Sequence, residues 1–214
     1  MVTEILANID GKIYSISIQI ESVDIKIPVY ISCLVKSKDP ENIGVILELY
    51  RVKYLNDISY INNHFPKIIK HISKLSFPFI DFDPDCIVCF YPIDENRKNI
   101  LKYFKEKMTE NLLNVSEIDI SDSFKKKDGA ISVMSKHLTK DDFELTFLGS
   151  NSFKNILIID DIIDQGRTIN IFLELLAEKG LLDKETNVRI VCIYSRLKKF
   201  TTMNLKQMLN IKPE

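Results

Sequence analysis

Residues 156–172 read ILIIDDIIDQGRTINIF. Four apolar residues, Ile156 to Ile159, run into two adjacent aspartates, Asp160 and Asp161. Asp164, Gln165, Gly166, Arg167 and Thr168 come next, and then Ile169, Phe172, Leu173 and Leu176 recur at helical spacing. A continuous apolar run predicts a strand buried on both faces, here over 155–160, and the spacing after it predicts a helix entered through a short turn. The helix should stop at Lys179-Gly180, a cation followed by a glycine C-cap.

The chemistry of this segment is directional. Ligands of open α/β sheets bind beyond the carboxyl ends of the strands, where Asp160 and Asp161 fall. A helix N-terminus presents free N–H groups and a positive dipole end to phosphate. Gly166 lets the backbone approach such an anion, and Thr168 adds a hydroxyl and is expected as the N-cap. Acceptors for hydroxyls at one end and donors for phosphate at the other match the groups of a ribose 5-phosphate. The bland alternative, a strand end with a capping turn, commonly uses one Asp but seldom two. A phospho-acceptor receiver domain also ends a first strand on such a pair, but needs more chain than follows Asp161.

Outward from this segment, the 214 residues suit one large domain or a core with an appendage, with ample material for a hydrophobic core. Lys+Arg is 29 against 30 for Asp+Glu, so bulk charge gives no reason to expect nucleic acid or an acidic membrane. No apolar run is long enough to span a bilayer. The start, MVTEILANIDGK, lacks a basic region followed by an apolar core, so no secretory signal is expected. Cys33, Cys86, Cys89 and Cys192 sit among apolar residues and read as reduced core thiols of a cytoplasmic protein. Cys86 and Cys89 form a C-x-x-C spacing, yet no second close pair of ligands accompanies it, so CIVCFYP reads as a buried strand. His64, His71 and His137 read as ordinary surface or half-buried positions.

Two textures divide the chain. YSISIQI (14–20) and VDIKIPVYISCLV (23–35) alternate as antiparallel strands, with Pro28 favouring an edge position for the second; VILELYRV (45–52) is a possible third. Asp10-Gly11 marks a turn, and a helix is expected to begin near Pro66. From there strand and helix alternate. CIVCFY (86–91) is a strand, 97–113 an amphipathic helix, SEIDI a short strand within 115–120, and VRIVCIY (188–194) another, implying a parallel sheet with helices on both faces. Residues 121–154 form a long polar interruption, which in a compact domain is functional or mobile. The expected units are a β-rich element over 1–55, serving as hood or dimerisation surface, and an α/β core over 56–214.

ILIIDDIIDQGRT resembles the signature of type I phosphoribosyltransferases, which bind 5-phosphoribosyl-1-pyrophosphate (PRPP). Gln165 stands where that family usually has a small residue. The order of elements over about 80–195 is also similar, and the spacing from long loop to signature is closest to the ComF-like branch, here without its zinc ribbon. The resemblance implies that Asp160 and Asp161 accept hydrogen bonds from the ribose hydroxyls. It implies that Asp164, Gln165, Gly166, Arg167 and Thr168 wrap the 5-phosphate. Tyr91, Pro92 and Ile93, within the segment Tyr91–Glu95, would carry the pyrophosphate, with Arg97 and Lys98 at the helix start. Asp164 takes the place of a proton-transfer acid. Lys125, Lys126 and Lys127, or Lys136 and Lys140, would be the loop cations. Mg2+ would bridge pyrophosphate and ribose hydroxyls and meet Asp160 and Asp161 only through the ligand. The implied function is transfer of ribose 5-phosphate from PRPP to a nitrogenous base, or the reverse, by a cytoplasmic homodimer with a nucleobase or nucleotide as its other ligand. The alternative is a non-catalytic module that senses PRPP or a nucleotide in a regulatory or defence system. The absence of Arg from 121–154 and the acidic Asp94 and Glu95 favour that alternative.

Overall fold

The structure is a computed structural model, and it describes residues 4–5, 14–20, 23–34, 82–92, 95–109, 118–127, 138–163 and 166–195. The turn at 10–11, the possible strand 45–52, the helix expected near Pro66 and the three histidines lie outside the described residues.

Nine strands and two α-helices are described. In chain order they are β1 (Glu4–Ile5), β2 (Tyr14–Ile20), β3 (Val23–Leu34), β4 (Cys86–Cys89), α1 (Glu95–Thr109), β5 (Ile118–Asp119), β6 (Phe124–Lys126), β7 (Phe143–Leu145), β8 (Asn155–Ile163), α2 (Arg167–Glu178) and β9 (Asn187–Ser195). Seven strands make one sheet in the order β1-β2-β3-β9-β8-β4-β5, and β6 pairs with β7 alone. From β3 to β5 every pairing is parallel, whereas β1, β2 and β3 pair antiparallel.

The parallel strands are apolar without interruption because both faces are covered. Cys86 to Cys89 and Ile156 to Ile159 are all buried. Cys86, Val88, Ile156, Ile158, Val188 and Ile190 share one core with Ile169, Phe172, Leu173 and Leu176 of α2. The intervening residues face α1, as the Cys89 thiol shows by lying 3.9 Å from the Leu101 carbonyl. Cys86 and Cys89 thus point to opposite faces, the consequence of a three-residue offset in a strand. Burial, with the charges of nearby aspartates, pushes both thiols well above their ordinary range, as expected of inert core cysteines.

The N-terminal strands extend the same sheet. Val29, Tyr30, Ile31, Cys33 and Leu34 of β3 pair in parallel with β9. The edge position expected from Pro28 is therefore corrected: β3 lies between β2 and β9. The proline is tolerated because the β9 ladder starts at Val29, so Pro28 lies in the part of β3 paired only with β2, opposite Ser15.

Helix α2 ends as expected. Gly180 has φ 70°, its amide donates to the Ala177 carbonyl, and the Leu181 amide reaches back to Leu176. This is a Schellman closure, with Leu176 and Leu181 both in the core.

Residues 121–154 correct the expectation of a polar loop. Phe124–Lys126 and Phe143–Leu145 pair antiparallel, with Phe124 opposite Leu145 and Lys125 opposite Glu144. Phe124, Phe143 and Leu145 are buried, and Phe124 meets Phe90, Phe143 and Phe172 at ring distances of 5.1, 5.3 and 5.0 Å. The apolar anchors are few and widely spaced among lysines, so the sequence looks polar while the ends of the segment are rooted in the core.

Candidate functional site

The β4–α1–β5 crossover runs to one side of the sheet and the β8–α2–β9 crossover to the other. The carboxyl ends of β4 and β8 are therefore the topological switch point, where an open α/β sheet leaves a crevice. The two strands pair up to Cys89 opposite Ile159, and the Phe90 amide donates to the Ile159 carbonyl at 3.2 Å. The next residues on β8 are Asp160 and Asp161, both half-buried.

The strand does not stop at the aspartates, as had been expected from the sequence. It continues to Ile163 because β9 keeps pairing: Asp160 lies opposite Cys192 and Ile162 opposite Tyr194. The carboxylates thus stand on a strand held on one side only, more rigidly than a turn would hold them. One Asp160 oxygen accepts the Asp161 amide at 2.8 Å. That bond turns the carboxylate toward its own backbone.

Only residues 164–166 separate β8 from α2. Gly166 is buried, has φ 66° and is the N-cap of α2, with no side chain capping the helix. The expected N-cap, Thr168, instead sits in the first helical turn. The correction has a steric reason: the chain enters the helix through the left-handed region, which only glycine occupies without strain. The Gly166 carbonyl accepts the Asn170 amide at 2.9 Å, closing the first turn. Arg167 is exposed and Thr168 half-buried. Asp164, Gln165, Ile93 and the Arg97 side chain lie outside the described residues.

On the other flank of β4 stands a cationic group of which the sequence had flagged only Lys98. Tyr91 turns away from the strand, its amide bonded to the Cys89 carbonyl at 3.0 Å. Around its ring stand the ammonium groups of Lys98, Lys102 and Lys105, at 5.7, 6.0 and 5.6 Å from the centroid. Lys105 also pairs with Asp119 at the end of β5 and hydrogen-bonds the Tyr91 hydroxyl. Asp119 in turn accepts the Ser121 amide at 3.0 Å and the Ser121 hydroxyl, and that hydroxyl accepts the Cys89 amide at 2.8 Å. Burial lowers the Lys105 pKa, but its bonds to Asp119 and Tyr91 outweigh this and hold it protonated. Burial likewise raises Asp119, and the bonds from Lys105 and Ser121 win, leaving it below the usual carboxylate range. The available signal was the 98, 102, 105 spacing, a lysine stripe beside the apolar stripe of α1.

The three loop lysines are not brought together. Lys125 is exposed opposite Glu144, Lys126 lies on the alternate face opposite buried Phe143, and Lys127 is exposed with its amide on the Asp142 carbonyl. Lys140 pairs with Glu178 at the far end of α2. Pro92 is half-buried beside Tyr91. Among the described residues no group of three or more His, Cys, Asp or Glu could cage a metal ion, and no helix is long and apolar enough to cross a membrane.

An acidic flank after β8, a cationic flank after β4 and a glycine-capped helix start thus follow the carboxyl ends of the two strands at the switch point. The family described as "Phosphoribosyl transferase domain" matches residues 113–201. Residues 113–201 are thus similar to a phosphoribosyl transferase domain. The match takes in β5, the hairpin β6–β7, β8, α2 and β9, and the domain's core is completed in space by β4 and α1. The general chemistry of that family is phosphoribosyl transfer. Among curated proteins none matches the chain.

Proposed function

We propose that this protein transfers ribose 5-phosphate between PRPP and a nitrogenous base, with Asp160 and Asp161 on the ribose hydroxyls and the Gly166-capped start of α2 on the 5-phosphate. The observation that supports this reading is the position of the two carboxylates at the switch point of a sheet whose 113–201 segment is similar to a phosphoribosyl transferase domain, one and two residues beyond the last bond to β4.

In the forward direction the bond from ribose C1 to the diphosphate oxygen breaks, and the oxygen leaves with the electron pair. A ring nitrogen of the base forms the new bond to C1 and loses its proton, a role the family resemblance gives to Asp164. Charge develops positively at C1 and negatively on the leaving group, so fixed charges on the two flanks of β4 would act mainly by electrostatic stabilisation. The donor set would suit Mg2+: two carboxylates and, among the described residues, no cage, leaving the ion to be held chiefly by ligand oxygens. Bound there, it would neutralise charge on the diphosphate. The spacing from long segment to signature resembles that of the ComF-like branch, and this reading includes a cytoplasmic homodimer with residues 1–55 as hood or dimerisation element.

A second reading is a PRPP- or nucleotide-sensing module. It is favoured by the dispersal of Lys125, Lys126 and Lys127 over two faces of the hairpin. Pyrophosphate release, assayed with PRPP against purine and pyrimidine bases with and without Mg2+, separates the two. Release with one base class supports the transferase; proven PRPP binding with no release across the panel supports the sensor.

A further inference from the structure

We propose that Asp119, at the end of the edge strand β5, is a positioning residue for the PRPP crevice: its two carboxylate oxygens fix the exit of β4 beside Asp160 and Asp161. The proposal deepens the PRPP reading above and rests on it.

β5 pairs with β4 only at Cys86 and Ile87, and the ladder closes with the Ile120 amide on the Ile87 carbonyl at 2.9 Å. The Ile120 carbonyl then accepts the Ser123 amide at 2.9 Å as the chain turns away. The Cys89 amide, next along β4, meets a side chain in place of a strand: it donates to the hydroxyl of Ser121, 1% exposed, at 2.8 Å. A hydroxyl has one proton to give, and Ser121 gives it to Oδ1 of Asp119, which also accepts the Ser121 amide at 3.0 Å. The other oxygen, Oδ2, holds the Lys105 ammonium, and Lys105 hydrogen-bonds the Tyr91 hydroxyl.

One carboxylate thus reaches the exit of β4 by two routes, to the backbone of Cys89 through Ser121 and to the side chain of Tyr91 through Lys105. Between these two residues lies Phe90, whose amide bonds the carbonyl of Ile159, the residue before Asp160. A shift of the exit is therefore passed to the strand that carries the two carboxylates of the site. Asp119 does not reach them itself: β4 lies between β5 and β8, and two strand spacings are about 9–10 Å. A polar chain of this kind rigidifies its surroundings only while every member is satisfied, so loss of the Asp119 charge loosens both routes at once.

Calorimetric titration of PRPP, with the apo melting temperature measured alongside, tests this. Asp119→Asn and Ser121→Ala should each weaken PRPP about 10-fold, the scale of one charge-assisted hydrogen bond. The double variant should lose little more than either alone, because both changes break one chain. Amide exchange should speed up at Cys89 and Phe90 in both variants and stay slow at Ile158. Thr186→Ala is the control. Its hydroxyl closes a comparable network at the amino end of the sheet, donating to the Phe153 carbonyl at 2.8 Å and accepting the Asp183 amide at 3.0 Å. That variant should melt lower yet bind PRPP as the parent does. If Asp119→Asn does not fold, Ser121→Ala decides alone. Parent-like PRPP affinity in the folded variants, or an equal loss in Thr186→Ala, overturns the positioning role and leaves the PRPP reading standing. A parent that binds no PRPP overturns both.

Discussion

The amide of Phe90 donates to the carbonyl of Ile159 at 3.2 Å, and beyond that bond the two chains part. Phe90 carries the β4 chain into Tyr91 and α1. Ile159 carries β8 into Asp160 and Asp161, still paired to β9. The same Phe90 ring lies 5.1 Å from Phe124 and 5.4 Å from Phe172. The crevice floor, the hairpin root and α2 therefore meet at one aromatic cluster.

Changing Asp160 and Asp161 together to Asn should abolish thermal stabilisation by PRPP while leaving the apo fold intact. Each charge-assisted hydrogen bond lost costs about 1.5–3 kcal/mol. At a ligand concentration 100-fold over Kd the parent gains about 2.7 kcal/mol, a shift easily read in a melting curve. An unchanged ligand-induced shift in the double variant would remove the carboxylates from the site.

Gly166→Val should act twice. The left-handed backbone at φ 66° costs a non-glycine residue about 1–2 kcal/mol, lowering the apo melting temperature. The side chain would also stand where the backbone should approach the 5-phosphate, so ribose 5-phosphate binding should be lost beyond what destabilisation explains. A variant that melts lower yet binds ribose 5-phosphate with parent affinity would show that the turn is not the cradle.

Phe124→Ala should destabilise the protein by about 3–5 kcal/mol, the usual cost of removing a buried phenylalanine, measured by denaturant unfolding. Phe124 is 4% exposed and packs on Phe90, Phe143 and Phe172. Lys125→Ala, on the exposed side of the same strand, should change stability by less than about 1 kcal/mol, as substitutions of exposed side chains do. Equal costs for the two would mean that the hairpin is not rooted in the core.

The Lys105–Asp119 link predicts an acid limb. Asp119 has a lowered pKa in the fold, so its contribution is complete above the ordinary Asp value of about 3.9 and is lost as pH falls through the lowered folded value. Lys105 has a raised pKa, so its contribution is complete below the ordinary lysine value and is lost only in strong alkali. Asp119→Asn should therefore be less stable than the parent at pH 7, and the gap should close in strong acid. A gap of constant size at both pH values would show that the carboxylate charge is not what stabilises this corner.

Read alone, the sequence determined the elements whose signal is local. The apolar runs at 86–89 and 156–159, the helical stripe of α2 and its Lys179-Gly180 stop each depend on neighbours within a turn or a strand, so periodicity and capping reveal them. The run ILIIDD also located the carboxylates, because an apolar strand leading into charge points to a strand's exit from the core. Tertiary structure decided what depends on distant partners. β8 continues past Asp160 because β9 lies beside it, and Pro28 is tolerated in β3 because the β9 ladder begins one residue later. The hairpin within 121–154 forms because Phe124 finds Phe90 and Phe172 and stacks on Phe143. The lysine group around Tyr91 is of the same kind. Its members lie along one helix stripe, but only the path of β4 into that helix sets an aromatic ring among them, and cation–π attraction needs that closeness in space.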